Sequence, residues 1–545
     1  MKLLVSLSQK PPMTSVYSAE QVLNHEARIA LSQDIASYDL MNSAGAAVFT
    51  QLLKSWPKAE HILVLCGKGN NGGDGFIVAQ LAHKKNIKLS VLLSCAVSQL
   101  KADALLAYQA MIAAGAVLLI DKVEERNNAK SLACIDSFTG EVIVDALFGI
   151  GFTGQLKPSL QRLVLSINHH TAKVISIDLP SGLCATTGQV HGANRDIQAI
   201  IADVTLTFIV YKQGLLTGKA ANFVGTLLLA PLALNNAFTR RVKTNHYYSQ
   251  YKQPLNLAKR LPASHKGISG LLLAVGGGLG MPGAIRLASE AALRCGAGLV
   301  AVSCHASNQA IIMYGRAELM LAPTTAELLD NSAPLHQAKT YLIGPGLGHD
   351  NEAEQLFTLL CATSQATKKN IILDADALIW LSKTKLSNTK LSNTKLSNTK
   401  LSKMKQHYHH WVLTPHPKEA AALLHCDIAS IEADRFAAVS AIAKQYGGVC
   451  LLKGAGSLIS DGEQIVINNS GNAGMASGGM GDVLSGIISA LVLQSDDVFS
   501  ATCLAAYIHG AAADIIANNN GQRGLLASDL FVPLQHLLNG KIPSH

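Results

Sequence analysis

The sequence is poor in aromatic residues, at 5%, and in charge, with only 15% Asp, Glu, Lys and Arg among 545 residues. So few rings, beside abundant Gly and Ala, argue against β-sandwiches and for helices packed closely on sheets. Low charge with 49% hydrophobic residues excludes disorder over most of the length and suits a well-buried globular enzyme. No C-x-x-C pair occurs among the ten cysteines, and several sit in apolar runs such as Val64-Leu65-Cys66. That excludes a disulfide framework or a zinc ribbon and predicts reduced thiols in a cytoplasmic protein. No uninterrupted apolar stretch reaches the roughly 18 residues of a membrane span, and Met1–Lys10 holds too short an apolar run for a signal peptide. No membrane partner is therefore expected. The length exceeds what one core fills and predicts two domains or more.

Acids are outnumbered, and the formal net charge is +9. Seven of the lysines, with no acid among them, fall in residues 381–405, and the remainder is close to neutral. No basic face for a nucleic acid follows. The same segment repeats a five-residue unit: Leu-Ser-Lys-Thr-Lys, three copies of Leu-Ser-Asn-Thr-Lys, then Leu-Ser-Lys-Met-Lys. A period of five fits neither helix nor strand, and no solenoid unit is so short. The expectation is a low-complexity expansion in a solvated, mostly disordered surface loop.

Residues 19–56 carry apolar positions at helical spacing and predict one or two opening helices. Short β-branched or Leu-rich runs then alternate with helical ones: His61–Cys66, Lys88–Leu93, Glu141–Val144, Val174–Ile177 and Val204–Ile209. A polar stretch, 239–260, reads as a linker between domains 1–238 and 261–545. A second series follows: Leu271–Val275, Leu299–Ser303, Tyr341–Ile343, Ile371–Leu373, Trp411–Leu413 and Val449–Leu452. Such alternation predicts α/β architecture, with parallel sheets covered by helices on both faces.

The densest chemistry lies in Ser470-Gly-Asn-Ala-Gly-Met-Ala-Ser-Gly-Gly-Met-Gly-Asp482, followed by an apolar helix from Val483. A glycine-rich turn entering a helix presents bare N–H groups at the positive end of the helix dipole, which is an anion site. A carboxylate there suits the base that takes a proton from a hydroxyl attacking phosphorus; the plain alternative is a helix N-cap. Lys453-Gly-Ala-Gly-Ser457 follows a strand and can approach and neutralise phosphate. Gly276-Gly-Gly-Leu-Gly280 and Gly344-Pro-Gly-Leu-Gly348 follow two others, with Ala284 opening the next helix. His416, between prolines in Thr414-Pro-His-Pro417, is held rigidly enough for a ligand contact; otherwise it satisfies a loop carbonyl.

The order Ser264-His-Lys-Gly267, Gly344–Gly348, Asp374-Ala-Asp-Ala-Leu378, Leu413–Pro417, Leu452–Gly456, Gly471–Ala476, Gly478–Asp482, His509-Gly510, Asp514 and Gly524–Asp529 resembles the ADP-dependent NAD(P)H-hydrate dehydratases. These are ribokinase-like α/β proteins, and the match spans about 264–540. The resemblance implies that a nicotinamide ring damaged by water addition is phosphorylated on its hydroxyl by ADP and then loses phosphate. It implies that Lys453, Gly454, Ala455, Gly456, Ser457 and Gly481 hold the nucleotide. Ala284, Gly348, His416 and Asp482 would contact the hydrated dinucleotide, with Asp482 catalytic and magnesium as cofactor. Lys418 stands where the family usually has Gly, Ala422 where Arg is frequent, and Ser457 where Thr is usual. No residue sets ADP over ATP; that choice comes from the resemblance.

In the first half, strand His61–Cys66 runs into Gly67-Lys-Gly-Asn-Asn-Gly-Gly-Asp-Gly75 and an apolar helix from Phe76. This is neither G-x-G-x-x-G nor a Walker loop, yet it is a phosphate cradle with hard oxygens suited to a cation. With Val144-Asp-Ala-Leu-Phe-Gly149 and Ile177-Asp-Leu-Pro-Ser-Gly182 it resembles NAD(P)H-hydrate epimerase, a Rossmann-like domain, over about 20–230. The resemblance implies potassium on Asn71, Asp145 and Ser181. It implies the hydrated cofactor on Asn70, Asn71, Gly72, Gly73 and Asp74, on Gly149, Ile150, Gly151, Phe152, Thr153, Gly154 and Gln155, and on Asp178. Asp178 is the expected acid–base group. Asn42 stands where that family commonly has Glu.

Together these imply a bifunctional repair protein acting on the small molecules NADHX, NADPHX and ADP; a homo-oligomer is compatible with the sequence. Two other readings account for less. A ribokinase-like kinase for a vitamin-precursor alcohol explains only the second half, and a dinucleotide-sensing scaffold explains neither set of carboxylates.

Overall fold

The computed structural model describes residues 12–116, 128–152, 154–190, 199–255, 257, 260–390 and 409–541. It divides into two units, Ser15–His246 and residues 247–545, the second also taking the N-terminal residues up to Thr14. The described chain opens with β1 (Met13–Ser15).

The first unit is built on β2 (His61–Cys66), β3 (Lys88–Leu93), β4 (Val142–Ala146), β5 (Lys173–Ile177), β6 (Val204–Phe208) and β7 (Thr226–Ala230), all parallel in the order β3-β2-β4-β5-β6-β7. Alternate residues feed opposite faces, as the period of two requires. Ile62, Val64, Val91 and Val144 pack with helices Ser37–Ser55 and Asn70–Lys84, whereas Leu63, Leu65, Leu92 and Ile143 pack with Leu163, Val164 and Ile167 of helix Pro158–His169. The result is a three-layer α/β unit.

The second unit carries β8 (His246–Ser249), β9 (Leu271–Val275), β10 (Leu299–Ser303), β11 (Leu319–Leu321), β12 (Thr340–Ile343), β13 (Asn370–Leu373), β14 (Trp411–Leu413), β15 (Val449–Leu452), β16 (Leu458–Ser460) and β17 (Ile465–Ile467). Its sheet runs β1-β8-β17-β16-β15-β14-β13-β12-β9-β10-β11. The run from β15 to β11 is parallel, and β16 and β17 form an antiparallel extension. Helices Pro282–Arg294, Met480–Leu493 and Val498–Asn520 bury against one face. Val498–Asn520 is long and apolar enough to cross a membrane by length and composition, and 78% of its apolar window is buried inside the unit.

Four expectations shift. The helix after β2 begins at Asn70 rather than Phe76, so the Asn-Asn-Gly-Gly-Asp-Gly run forms its first turns; tight packing overrides the poor helix propensity of glycine. The helix expected from Val483 likewise begins earlier, at Met480, and takes in Asp482. Residues 381–390, expected in a loop, continue helix Asp376–Lys390, whose start is anchored by buried Ala377, Leu378 and Leu381; residues 391–405 of the repeat lie outside the described residues. The stretch read as a linker holds the end of helix Asn235–Arg241 and β8. None of the ten cysteines is in a disulfide, and seven of them are buried.

Candidate active sites

The parallel part of each sheet reverses strand order once: between β2 and β4 in the first unit, and between β9 and β12 in the second. A crevice opens outside the carboxyl ends of strands at such a switch point. Gly67–Gly75 follows β2, Gly276–Gly280 follows β9 and Gly344–Gly348 follows β12, so three glycine-rich segments lie at these two places.

In the first unit a cavity of ≈ 530 Å³ is lined in part by Asn70, Asn71, Asp74, Gly149, Ile150, Gly151, Phe152 and Asp178. Gly72 and Gly73 are buried in the helix turn beneath. A Cβ on Gly72 would lie 1.9 Å from the Gly67 carbonyl oxygen, so only glycine lets the helix start this close to β2. Gly154 and Gln155 are exposed and outside the lining; Thr153 lies outside the described residues. The helix N-cap, Gly69, supplies no side-chain cap, which leaves its first amides open to a ligand.

Asp145 is fully buried at the end of β4. It accepts hydrogen bonds from Ser181 Oγ at 2.6 Å, Ser181 N at 2.8 Å and Ser176 Oγ at 2.9 Å. Burial raises its pKa against the pull of those bonds. Among the described residues it has no ion-pair partner, and the buried Asn71 Nδ2 has no hydrogen-bond partner. The Asp145 carboxylate and the Ser181 hydroxyl are hard oxygens of the kind a cation takes, whereas the unused Asn71 Nδ2 is a donor and suits an acceptor on a ligand.

Asp178 follows β5 with φ of +65°. Thr207 Oγ1 (3.0 Å), Phe208 N (3.1 Å) and Lys212 Nζ (2.5 Å) all donate to its Oδ1. Ile209, on the turn that brings Lys212 back to this point, has φ of +64°. For a β-branched residue that conformation is strained, at a cost on the order of 1–3 kcal/mol, and such strain collects at functional sites. Glu26 and Asp74 share the cavity; burial raises both carboxyl pKa values, and the charge on Asp178 raises them further. The sequence reading missed Glu26 and Lys212. A lone lysine two residues beyond apolar Ile209-Val210 is the signal that marks the second.

In the second unit the two glycine loops lie against each other. Gly277 N donates to Pro345 O at 3.0 Å and Gly278 N to Gly346 O at 2.6 Å. The buried Asn308 pins both by donating to the Gly277 and Gly278 carbonyls. Ala284 is the third residue of helix Pro282–Arg294. Gly348 N donates to Asp376 Oδ2 at 2.9 Å, and Gly344, with φ of +126°, leaves no room for a Cβ beside the Asp374 carbonyl.

Around the ends of β13, β14 and β15 the charges converge. Lys453 Nζ lies 3.0 Å from Asp374 Oδ1 and 3.7 Å from Glu419 Oε2, and a Cβ built on Gly481 would be 3.4 Å from it. Burial works against the Lys453 ammonium, but Asp374 and Glu419 together raise its pKa. Thr414 Oγ1 donates to Asp374 at 2.8 Å. His416 caps helix Pro417–Leu424: its Nδ1 accepts from Lys418 N and Glu419 N, which assigns the ring proton to Nε2, 3.3 Å from Glu419 Oε1. Burial, then the Lys453 charge, lowers the His416 pKa and keeps the ring neutral. Lys453 to Ser457 form a turn closed by the Gly454 N bond to Ser457 Oγ at 3.2 Å, and Ala455 and Gly456 lie within it. The buried Arg435 supports that turn from behind, donating to the Lys453 carbonyl at 3.1 Å. Arg435, Asn308 and Glu419 are absent from the sequence reading because their contacts are long-range or side chain to backbone.

Asp482 sits at the third position of helix Met480–Leu493, whose N-cap is Gly479, so it is not the cap. Burial raises its pKa to about 7, Asp374 and Glu419 adding to the shift and Lys453 opposing it. A carboxyl poised there is half ionised near neutrality, as a general base requires.

A family model described as NAD(P)H-hydrate dehydratase matches residues 272–536, and one described as YjeF-related protein N-terminus matches residues 37–214. The bifunctional NAD(P)H-hydrate repair enzyme of Coxiella burnetii is 39% identical over 533 residues, covering 97% of this chain and 100% of its own. The chain belongs to the bifunctional NAD(P)H-hydrate repair enzymes. The Escherichia coli member is 38% identical, with 97% and 95% coverage. A solved ADP/ATP-dependent NAD(P)H-hydrate dehydratase from Bacillus subtilis is 25% identical over 52% of this chain and 94% of its own, with a TM-score of 0.44. The repair enzyme family covers both units, whereas the kinase alternative would leave the first unit without a role.

Proposed function

We propose that the first unit interconverts the R and S epimers of hydrated NADH and NADPH, and that the second dehydrates the S form with ADP, giving AMP and phosphate. Identity to bifunctional repair enzymes across 97% of the chain, through both crevices, carries the reading.

In the first unit, the hydrated cofactor lies across Asn70, Asn71, Gly72, Gly73 and Asp74, with Gly149, Ile150, Gly151 and Phe152 facing it. Asp178 takes the proton of the ring hydroxyl, and the carbon–nitrogen bond of the carbinolamine opens with its electron pair going to the ring nitrogen. Rotation and reclosure on the other face return the proton, so nothing is consumed. Asn71, Asp145 and Ser181 would hold potassium, which supplies a fixed positive charge for the dinucleotide phosphates.

In the second unit Lys453, Gly454, Ala455, Gly456, Ser457 and Gly481 hold the adenine nucleotide. Ala284, Gly348 and His416 orient the ring. Asp482 accepts the hydroxyl proton as that oxygen attacks the terminal phosphorus of ADP and AMP leaves. Phosphate then departs as the neighbouring ring carbon loses a proton, restoring the double bond. Two buried carboxyls, Asp374 and Glu419, and the half-buried Asp482 face the Lys453 ammonium; that excess of negative charge fits magnesium arriving with the nucleotide, where it neutralises phosphate charge. The free, mostly buried thiols support a reducing, cytoplasmic setting.

The test is recovery of reduced-nicotinamide absorbance from a mixed-epimer preparation of hydrated NADH with ADP, ATP or no nucleotide. Full recovery with ADP is expected. Recovery of the S fraction alone sinks the first assignment, and none with either nucleotide sinks the second.

A further inference from the structure

We propose that Lys212 is a positioning residue of the epimerase site, its buried ammonium fixing one oxygen of the Asp178 carboxylate so that the other is presented to the ring hydroxyl. The inference rests on the reading of Asp178 as the acid–base group.

Lys212 is 1% exposed, although it lines the cavity that Asp178, Asp74 and Glu26 share. A buried lysine without partners is strongly unfavourable, so its hydrogen bonds report its task. All three ammonium donors are used. They go to Asp178 Oδ1 at 2.5 Å, the Phe208 carbonyl at 2.8 Å and Thr207 Oγ1 at 3.1 Å. An ammonium with every donor directed at protein acceptors has none left for a substrate. Lys212 therefore acts through Asp178.

The bonding of Asp178 is one-sided. Lys212 Nζ, Thr207 Oγ1 and Phe208 N all converge on Oδ1, and among the described residues none donates to Oδ2. Thr207 closes the arrangement, accepting from Lys212 and donating to Asp178. The carboxylate is thus held by one oxygen, and the other keeps its lone pairs for a proton. Glu26 shares the cavity with Asp178, and Lys212 offsets the charge between them.

The experiment uses the full chain and purified R epimer of hydrated NADH without nucleotide, and follows conversion to the S epimer by chromatography. Lys212→Met is expected to lower kcat about 100-fold with KM within about threefold, the loss that misplacing a catalytic group produces. Lys212→Arg, which keeps the cation, is expected to retain more of kcat than Lys212→Met. In an Asp178→Asn background Lys212→Met should cost nothing further. A folded Lys212→Met protein with kcat within about threefold of the parent overturns the proposal, and so does a loss confined to KM. Should Lys212→Met not unfold cooperatively on heating, Lys212→Arg decides: kcat within about tenfold of the parent sustains the proposal, and a lower kcat in a folded protein overturns it. Failure of the underlying reading shows separately, as an Asp178→Asn protein that still epimerises at the parental rate.

Discussion

At the scale of single residues, Asp482 combines catalytic readiness with a cost in stability. Its folded pKa, raised by burial to about 7, lies above the unfolded range of an aspartate. Below the unfolded value both states hold the proton, and the contribution to stability is complete. As pH rises toward 7 the unfolded chain gives up its proton and the folded chain does not, so stability falls and then levels off. As a base, the same group works only when ionised, so dehydration should rise with pH through about 7 and then plateau. Asp482→Asn should therefore lower the dehydration rate by about a thousandfold or more while raising the melting temperature more at about pH 8 than at about pH 5. Scanning calorimetry at the two pH values, beside the NADH recovery assay, checks both halves. An Asn variant destabilised at the higher pH would place Asp482 in a structural ion pair instead. Asp482, Lys453 and His416 were legible in the sequence because glycines and prolines mark their turns. Glu419 and Asn308 were not, because the pairing of Glu419 with Lys453 and the bonds from Asn308 to the Gly277 and Gly278 carbonyls span tens of residues and leave no local pattern.

Among the elements, the strands were the most legible. His61–Cys66, Leu271–Val275 and Val449–Leu452 stand where their apolar runs predict, since buried parallel strands are continuous apolar segments. Short β16, β17 and β11 were missed, being three residues each with little pattern to read. The helix start at Asn70 was also missed, because its stability comes from packing rather than propensity. That packing predicts a severe effect of Gly72→Ala, whose Cβ would meet the Gly67 carbonyl oxygen. The first unit should lose about 1–3 kcal/mol or more and epimerise slowly, with dehydration of the S form unchanged. Denaturant titration with the two activity assays separates these effects. The pentapeptide repeat makes the opposite prediction. Helix Asp376–Lys390 is anchored at its start, where Lys383 also lies over the Trp380 ring at 4.3 Å. Deleting 386–400 leaves that anchor, and shortening a connection changes its closure cost by well under about 1 kcal/mol. Both activities should stay within about twofold of the parent; a tenfold loss of dehydration would show that the segment shapes the site.

For the whole molecule, each crevice is built entirely from residues of one unit, on cores that share no residue between them. Among the described residues, the groups assigned to each site lie in one unit, so lesions in the two should be independent. On mixed-epimer hydrated NADH with ADP, Asp178→Asn should consume the S fraction at the parental rate and then slow to spontaneous epimerisation. Asp482→Asn should equilibrate the epimers and return no NADH. The sharper test combines the two damaged proteins in one tube. The S epimer made by one is a small molecule that diffuses to the other, so full recovery of NADH should return, at a rate that scales with the concentration of each variant. Folded variants that fail to complement one another would mean that the epimer passes between sites of a single chain without release.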